Sequence, residues 1–303
     1  MSLENKHQKP TTIAQLVEMG NNNAVGFEPV KKVKTADAGS ETRPEVSPRP
    51  AENEEAINVV KVSDRLLAAN MLVPGSKLGR DMQDDYRRIK RPLVANAVGR
   101  NRSMVDRGNL IFVTSSIPGE GKTYTALNLA LSIAQEMDTT VLLIDCDVDK
   151  QGASKLLGVE KASGLVDVLE SDASSIGDIL LQTDIPKLRV VPAGKQHEYV
   201  TELLTSHRMT SLINEIASRY TDRIIIFDGP PLLPAPQAQV LAGLVGQVVL
   251  VIEAGKTPQS TVEEALALLP DEQSIGLVMN KNEGIAGRSA DYHGYYASDD
   301  DAQ

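Results

Sequence analysis

The chain has 303 residues, 41% of them hydrophobic, and a formal net charge of −10. That length holds one large α/β domain plus tails, and the acidic balance excludes a nucleic-acid binder that relies on overall basic charge. The single cysteine, Cys146, excludes an internal disulfide and is compatible with a reducing cytoplasm. Its expected role is that of a small side chain beside a strand end. The four histidines, His7, His197, His207 and His293, show no metal-ligand spacing. The polar start MSLENKHQKP does not read as a signal peptide. The most apolar stretch, Val240–Ile252, is interrupted by Gly243, Gly246 and Gln247 and is too short to span a bilayer. Membrane association is therefore expected to come through a partner.

Residues 1–55 read as a disordered N-terminal leader, because Lys31–Glu55 is rich in Pro, Glu, Lys and Ala with little to bury. Within it, TTIAQLVE (Thr11–Glu18) is either a docking helix for a partner or a transient helix. A domain is expected over residues 56–282. It opens with a strand over Ile57–Val62 and a helix over Asp64–Met71. A stronger helix within Ser76–Gly99 follows, which Pro92 should kink or divide. Asp85, Arg88 and Arg91 in that helix are spaced by three and share a face. That face is either solvated or a subunit contact in which the arginines meet a neighbour's carboxylates.

The centre of the domain is IFVTSSIPGEGKTYTALNLALSIAQEMDTTVLLIDCDVDK (Ile111–Lys150). An apolar, β-branched strand, Ile111–Thr114, leads into the loop Ser115–Gly121 and a helix from Lys122 to about Glu136. The loop fits a phosphate-binding pattern in all but its first position, where Ser116 stands for glycine. Gly119 and Gly121 let successive backbone N–H groups turn toward phosphate oxygens, and the helix N-terminus adds donors and partial positive charge. Lys122 would reach the β- and γ-phosphates and Thr123 would ligate Mg²⁺. Ser116, Pro118, Gly119, Glu120, Tyr124 and Asn280 complete the expected nucleotide-binding set.

The second strand, Val141–Ile144, delivers Asp145 and Asp147 to its carboxyl end. The pattern stays β/α afterwards. Helical pieces are expected over Gly164–Glu170 and Ser175–Leu181, and a strand over Leu188–Val191. One or two helices should fill Tyr199–Tyr220, before a buried strand over Arg223–Phe227. A strand over Gln247–Ile252, a helix over Thr257–Leu268 and a last strand over Ser274–Met279 complete the domain. Strands alternating with helices imply a P-loop α/β fold with a mostly parallel sheet and helices on both faces. Ligands bind at the carboxyl ends of such strands, so Lys122, Asp145, Asp147 and Asp228 should surround one crevice. Asp228, which halts the apolar run IIIFD, is the expected metal aspartate. Asp145 or Asp147 would orient or deprotonate an attacking hydroxyl.

Residues 283–303, EGIAGRSADYHGYYASDDDAQ, read as a flexible tail, polar, small-residue-rich and acidic. Three of the chain's seven tyrosines, Tyr292, Tyr295 and Tyr296, lie in it, where packing cannot account for them. Phenols on a flexible segment suit entry into an active site, and phosphorylation there would add charge able to alter an assembly.

From about Arg80 onward the chain resembles the bacterial tyrosine autokinases (BY-kinases) of capsule and exopolysaccharide synthesis. It is most like the exosortase-associated branch. The resemblance rests on SSIPGEGKT (Ser115–Thr123), VLLIDCDVD (Val141–Asp149) and IIIFDGPP (Ile224–Pro231), matching the family's Walker A, second Walker A and Walker B motifs. GLVDVL (Gly164–Leu169), ELLTSHRM (Glu202–Met209) and the terminal tyrosines support it. It implies an ATP- and Mg²⁺-dependent kinase that phosphorylates its own C-terminal tyrosines, chiefly in trans, within a ring of subunits. Asp85, Arg88 and Arg91 match the family's subunit-contact motif, with Asp in place of Glu. A membrane chain-length regulator is implied as a borrowed activator, and a phosphatase as the reset. Localisation is then cytoplasmic, at the inner membrane through that partner. One departure stands out. The family's arginine two residues after the second aspartate is Asp149 here, followed by Lys150, so weaker or differently regulated activity is expected. Two alternatives remain: an ATPase switch of the division-site and partition type, which carries a signature lysine where this chain has Ile117, and a catalytically dead scaffold.

Overall fold

The computed structural model describes residues 59–282, apart from 77–79, 100–101, 103, 172–174, 221–222 and 272. The leader over 1–55, its Thr11–Glu18 segment, the 283–303 tail and Tyr292, Tyr295 and Tyr296 all lie outside the described residues.

Four apolar runs build the centre of a seven-stranded sheet: β1 (Leu110–Ser115), β2 (Thr140–Asp145), β5 (Arg223–Asp228) and β6 (Gln247–Glu253). β3 (Leu181–Gln182), β4 (Leu188–Val191) and β7 (Ser274–Asn280) complete it. The spatial order is β3-β4-β2-β5-β1-β6-β7. Every pairing is parallel except β3 with β4 at the edge. Alternation along each strand feeds two cores. Phe112, Ile144, Phe227 and Leu250 join one, and Val113, Leu143, Ile226 and Val251 the other. Central strands coated on both faces need continuous apolar sequence, and these runs supply it.

On the second face lie α1 (Ser63–Ala68), α2 (Arg80–Ala97), α3 (Lys122–Ala134) and α4 (Gly152–Leu157). The first face carries α5 (Leu165–Glu170), a 3₁₀ turn (Ile176–Ile179), α6 (Val200–Leu204), α7 (His207–Arg219), α8 (Pro236–Ala242) and α9 (Gln259–Ala267). α3 is buried along nearly its whole length, which fits its run of Ala, Leu and Ile.

Several expectations need correction. Ile57–Val62 contributes no strand among the described residues. Val60 makes a single parallel bridge to Thr183 beside the two-residue edge strand β3, and the Asp184 carboxylate then accepts the Val62 and Ser63 N–H groups at 2.8 and 3.2 Å. Those bonds turn the chain into α1 instead of extending the ladder. Pro92 does not divide α2, which runs unbroken. The carbonyl that the missing N–H would have engaged belongs to Arg88, on the exposed face, where water can serve it. Ser175–Leu181 is one 3₁₀ turn, and Leu181 already belongs to β3. α4 and α8 were not anticipated.

Candidate active site

β1 ends at the phosphate-loop sequence, and its last carbonyls hold the segment that follows β5. Leu232 N–H donates to Ser115 O at 2.8 Å and Leu233 N–H to Ser116 O at 3.2 Å. Gly119 and Gly121 take φ of +97° and +98°, the left-handed region that glycine enters without strain. A Cβ at Gly121 would also stand 2.0 Å from Asn280 Nδ2, so any side chain there would have to displace that amide. The turn leaves the backbone N–H groups from Gly119 to Tyr124 without an acceptor among the described residues. Donors at a helix start, gathered on one side of a loop, make an anion cradle.

Neighbouring strands brace that cradle. Asn280 Nδ2 donates to Glu120 O at 2.9 Å, and Lys281 Nζ donates to Gly119 O at 2.7 Å and pairs with Glu253 at 2.9 Å. The Glu120 carboxylate accepts Ile117 N–H at 2.8 Å and the Thr257 hydroxyl at 2.5 Å.

Beside the loop the sheet register sets Asp145 directly across from Asp228, and both are fully buried. Ser154 donates twice to Asp145 Oδ2, from its N–H at 2.8 Å and its hydroxyl at 2.7 Å, while Asp147 N–H donates to Oδ1 at 3.2 Å. Lys122 Nζ pairs with Asp147 Oδ2 at 2.6 Å and lies 3.4 Å from Thr123 Oγ1. Neither oxygen of Asp228 has a hydrogen-bond partner among the described residues, although the Thr123 hydroxyl lies close enough to favour its charged form. Burial, with Asp145 alongside, pushes the Asp228 carboxyl far above the usual carboxylate range against the pull of Lys122. Burial likewise raises Asp145, opposed by the Ser154 bonds. Burial alone would lower Lys122, but Asp228, Asp147 and Asp145 outweigh it and hold the ammonium above its ordinary value.

A buried, unpartnered carboxylate next to a hydroxyl and an empty-handed N–H cradle is a donor set for a divalent cation with phosphate oxygens. Thr123, Asp228 and Asp145 therefore fit Mg²⁺. Among the described residues no cluster of three or more His, Cys, Asp or Glu forms an all-protein metal cage. Beside the same edge a cavity of about 400 Å³ is lined by Val148, Asp149, Gln196, His197, Glu198 and Val200.

Lys122, Thr123, Asp145, Asp147 and Asp228 thus converge as the sequence predicts. Ser116 is buried with an unpartnered hydroxyl, and Pro118 is exposed at the loop tip. Glu120 and Asn280 act as braces of the loop. The Tyr124 side chain is turned away, its hydroxyl donating to Asn70 O at 2.8 Å, so only its N–H belongs to the cradle. Asp149 and Lys150 are exposed on the active edge. Asp85, Arg88 and Arg91 lie together on the exposed face of α2, far from the crevice in role and position along the chain. Sequence reasoning missed Ser154, Thr257 and Lys281, whose roles arise from chain crossing. Only the polar side chains just past strand or helix boundaries hint at them.

The AAA domain family model (AAA_31) matches residues 108–266. The chain is 34% identical over 207 residues to the tyrosine-protein kinase CpsD of Streptococcus agalactiae, covering 66% of this chain and 87% of that protein. It is 33% identical over 219 residues to the tyrosine-protein kinase YwqD of Bacillus subtilis (strain 168), covering 72% and 87%. Among solved structures, the VpsO kinase domain aligns with a TM-score of 0.55 at 29% identity, covering 65% of this chain and 95% of that one. A phosphate loop, a buried aspartate pair and a lysine at their junction, in a chain so closely related to these enzymes, place the protein in the bacterial tyrosine-protein kinase family of capsule and exopolysaccharide synthesis.

Proposed function

We propose that this chain is an ATP-dependent autokinase whose acceptors are Tyr292, Tyr295 and Tyr296 of a neighbouring copy in a ring. The observation that carries the reading is Lys122, paired at 2.6 Å with Asp147 and flanked by the buried, unpartnered Asp228. An arriving triphosphate replaces Asp147 as the partner of Lys122, and the N–H groups of Gly119–Tyr124 wrap its phosphates. Thr123 and Asp228, with Asp145 near them, would hold Mg²⁺, which would supply charge neutralisation for the transferred phosphoryl group. A phenol oxygen forms the new bond to phosphorus, and the bond to the ADP oxygen breaks. Asp145 and Asp147 are the carboxylates left to take the phenol proton.

The exposed Asp85, Arg88 and Arg91 serve as the subunit contact. No helix of the described residues is long and apolar enough to cross a membrane. A membrane chain-length regulator is the proposed anchor and activator, on the chain's kinship with capsule and exopolysaccharide kinases. A protein-tyrosine phosphatase resets the tail, the site of action is the cytoplasmic face of the inner membrane, and no nucleic acid takes part. Within the family we assign the exosortase-associated branch, on the wording of SSIPGEGKT and VLLIDCDVD. Trypsin releases the segment after Arg288, which holds all three tail tyrosines. Mass spectrometry of that peptide after incubation with ATP and Mg²⁺ should find added phosphate. Its absence, with the membrane partner present, rejects the kinase reading and leaves an ATPase switch. Lys122→Met should abolish the modification.

A further inference from the structure

We infer that Ser154 is a positioning residue, which fixes the Asp145 carboxylate and ties it to the wall of the neighbouring cavity. The inference deepens the proposed kinase reading of the same site. A serine hydroxyl has one proton to give. Here it goes to Asp145 Oδ2 at 2.7 Å, while Ala193 N–H donates to the same hydroxyl oxygen at 3.0 Å. That incoming bond fixes which way the hydroxyl points, so Ser154 is a locked donor and not a free rotor. Together with its own N–H at 2.8 Å, it pins Oδ2 from the α4 side. Asp145 Oδ1 receives only the 3.2 Å bond from Asp147 N–H, and Asp228 stands opposite in register. All of these groups are buried.

The far end of the chain of bonds leads to the wall of the neighbouring cavity. Ala193 and Gly194 are the exit of β4, and Gly194 O accepts Gln151 Nε2 at 2.8 Å. The backbone then runs directly into Gln196–Val200, which forms one wall of the cavity opposite Val148 and Asp149. This loop is thus clamped twice, once by Gln151, just before α4 and touching no site carboxylate, and once by Ser154 of α4, with Asp145 at the other end. The two clamps separate tethering from positioning.

Groups that orient a metal-site carboxylate are typically worth about 10–100-fold in metal affinity or activity. Ser154→Ala should therefore lower kcat by about 10–100-fold, leave KM for ATP unchanged, and raise the Mg²⁺ concentration needed to tighten binding of a fluorescent ADP analogue. Gln151→Ala should lower the melting temperature yet leave kcat and the Mg²⁺ requirement at wild-type values. Ser154→Thr, which restores a hydroxyl, should recover the wild-type Mg²⁺ requirement and guards against a poorly folded alanine variant. A wild-type Mg²⁺ requirement in Ser154→Ala, or an equal loss in the threonine variant, overturns the inference. The nucleotide titration does not depend on tyrosine transfer. A wild-type protein that binds Mg²⁺–ADP but never labels its tail rejects the kinase reading while still testing Ser154.

Discussion

Gly121 shows how tightly single positions are constrained at this site. Its φ of +98° strains any residue with a Cβ, and an alanine Cβ would also push the Asn280 amide from its bond to Glu120 O. Gly121→Ala should weaken ADP binding by at least about tenfold, since strain of about 1–3 kcal/mol at such a position comes on top of the clash, while far-UV circular dichroism stays unchanged. A fluorescence titration with an ADP analogue reads the loss. Lys122→Met should remove phosphotyrosine completely with the fold retained, as read by immunoblot and circular dichroism. The residues of both tests were legible in the sequence, because Gly-Glu-Gly-Lys-Thr compresses the chemistry into adjacent positions. Ser154 and Thr257 were not legible. Each meets its partner across a gap of nine residues or more, set by the sheet register and by nothing local.

Among the elements, most strands were readable: β2 and β5 are apolar runs stopped by Asp, β7 by Asn and β4 by Pro, whereas Leu181 of the two-residue β3 reads as helix. α4 and α8 were not readable, being six and seven residues long with no side-chain cap at their start. Such helices depend on packing against the sheet more than on local signals. α1 depends on one long-range carboxylate. Asp184 accepts Val62 N–H, Ser63 N–H and the Ser63 hydroxyl. Burial pushes its carboxyl up, but these bonds prevail and hold it below the ordinary carboxylate value. A depressed folded-state pKa stabilises the fold above the unfolded value, and that contribution disappears as pH falls through the folded value. Asp184→Ala should cost about 0.5–2 kcal/mol at pH 7, as the loss of a helix-capping group does. In urea unfolding, the gap between wild type and variant should narrow below about pH 4, the ordinary aspartate range. A gap that is constant from pH 7 to pH 3 would refute this account of α1.

For the whole molecule, the mostly parallel sheet and the two-sided core follow from the alternation of strands and helices, the strand order came only with the structure, and the proposed assembly rests on one helix face. α2 buries Tyr86, Ile89 and Leu93 and ties itself to β6 through Asn96 and Gln247 at 2.9 Å. Its other face presents Asp85, Arg88 and Arg91 to solvent. If the proposed assembly uses this face, Arg88→Ala with Arg91→Ala should shift the protein to monomers in sedimentation velocity, with an unchanged melting temperature. Trans-phosphorylation of the tail should fall with assembly. Assembly that survives both substitutions would move the subunit contact elsewhere.

The last strand also carries a mechanical consequence. Asn280 and Lys281 grip the carbonyls of Glu120 and Gly119, and the chain continues toward its tyrosine-bearing end only one residue further on, at Asn282. In the proposed kinase reading, the segment with the acceptor tyrosines therefore begins directly after the residues that brace the phosphate loop. On that reading, a shift of the loop's braces on nucleotide exchange would move the start of the acceptor segment, and a force applied to that segment would reach the braces first.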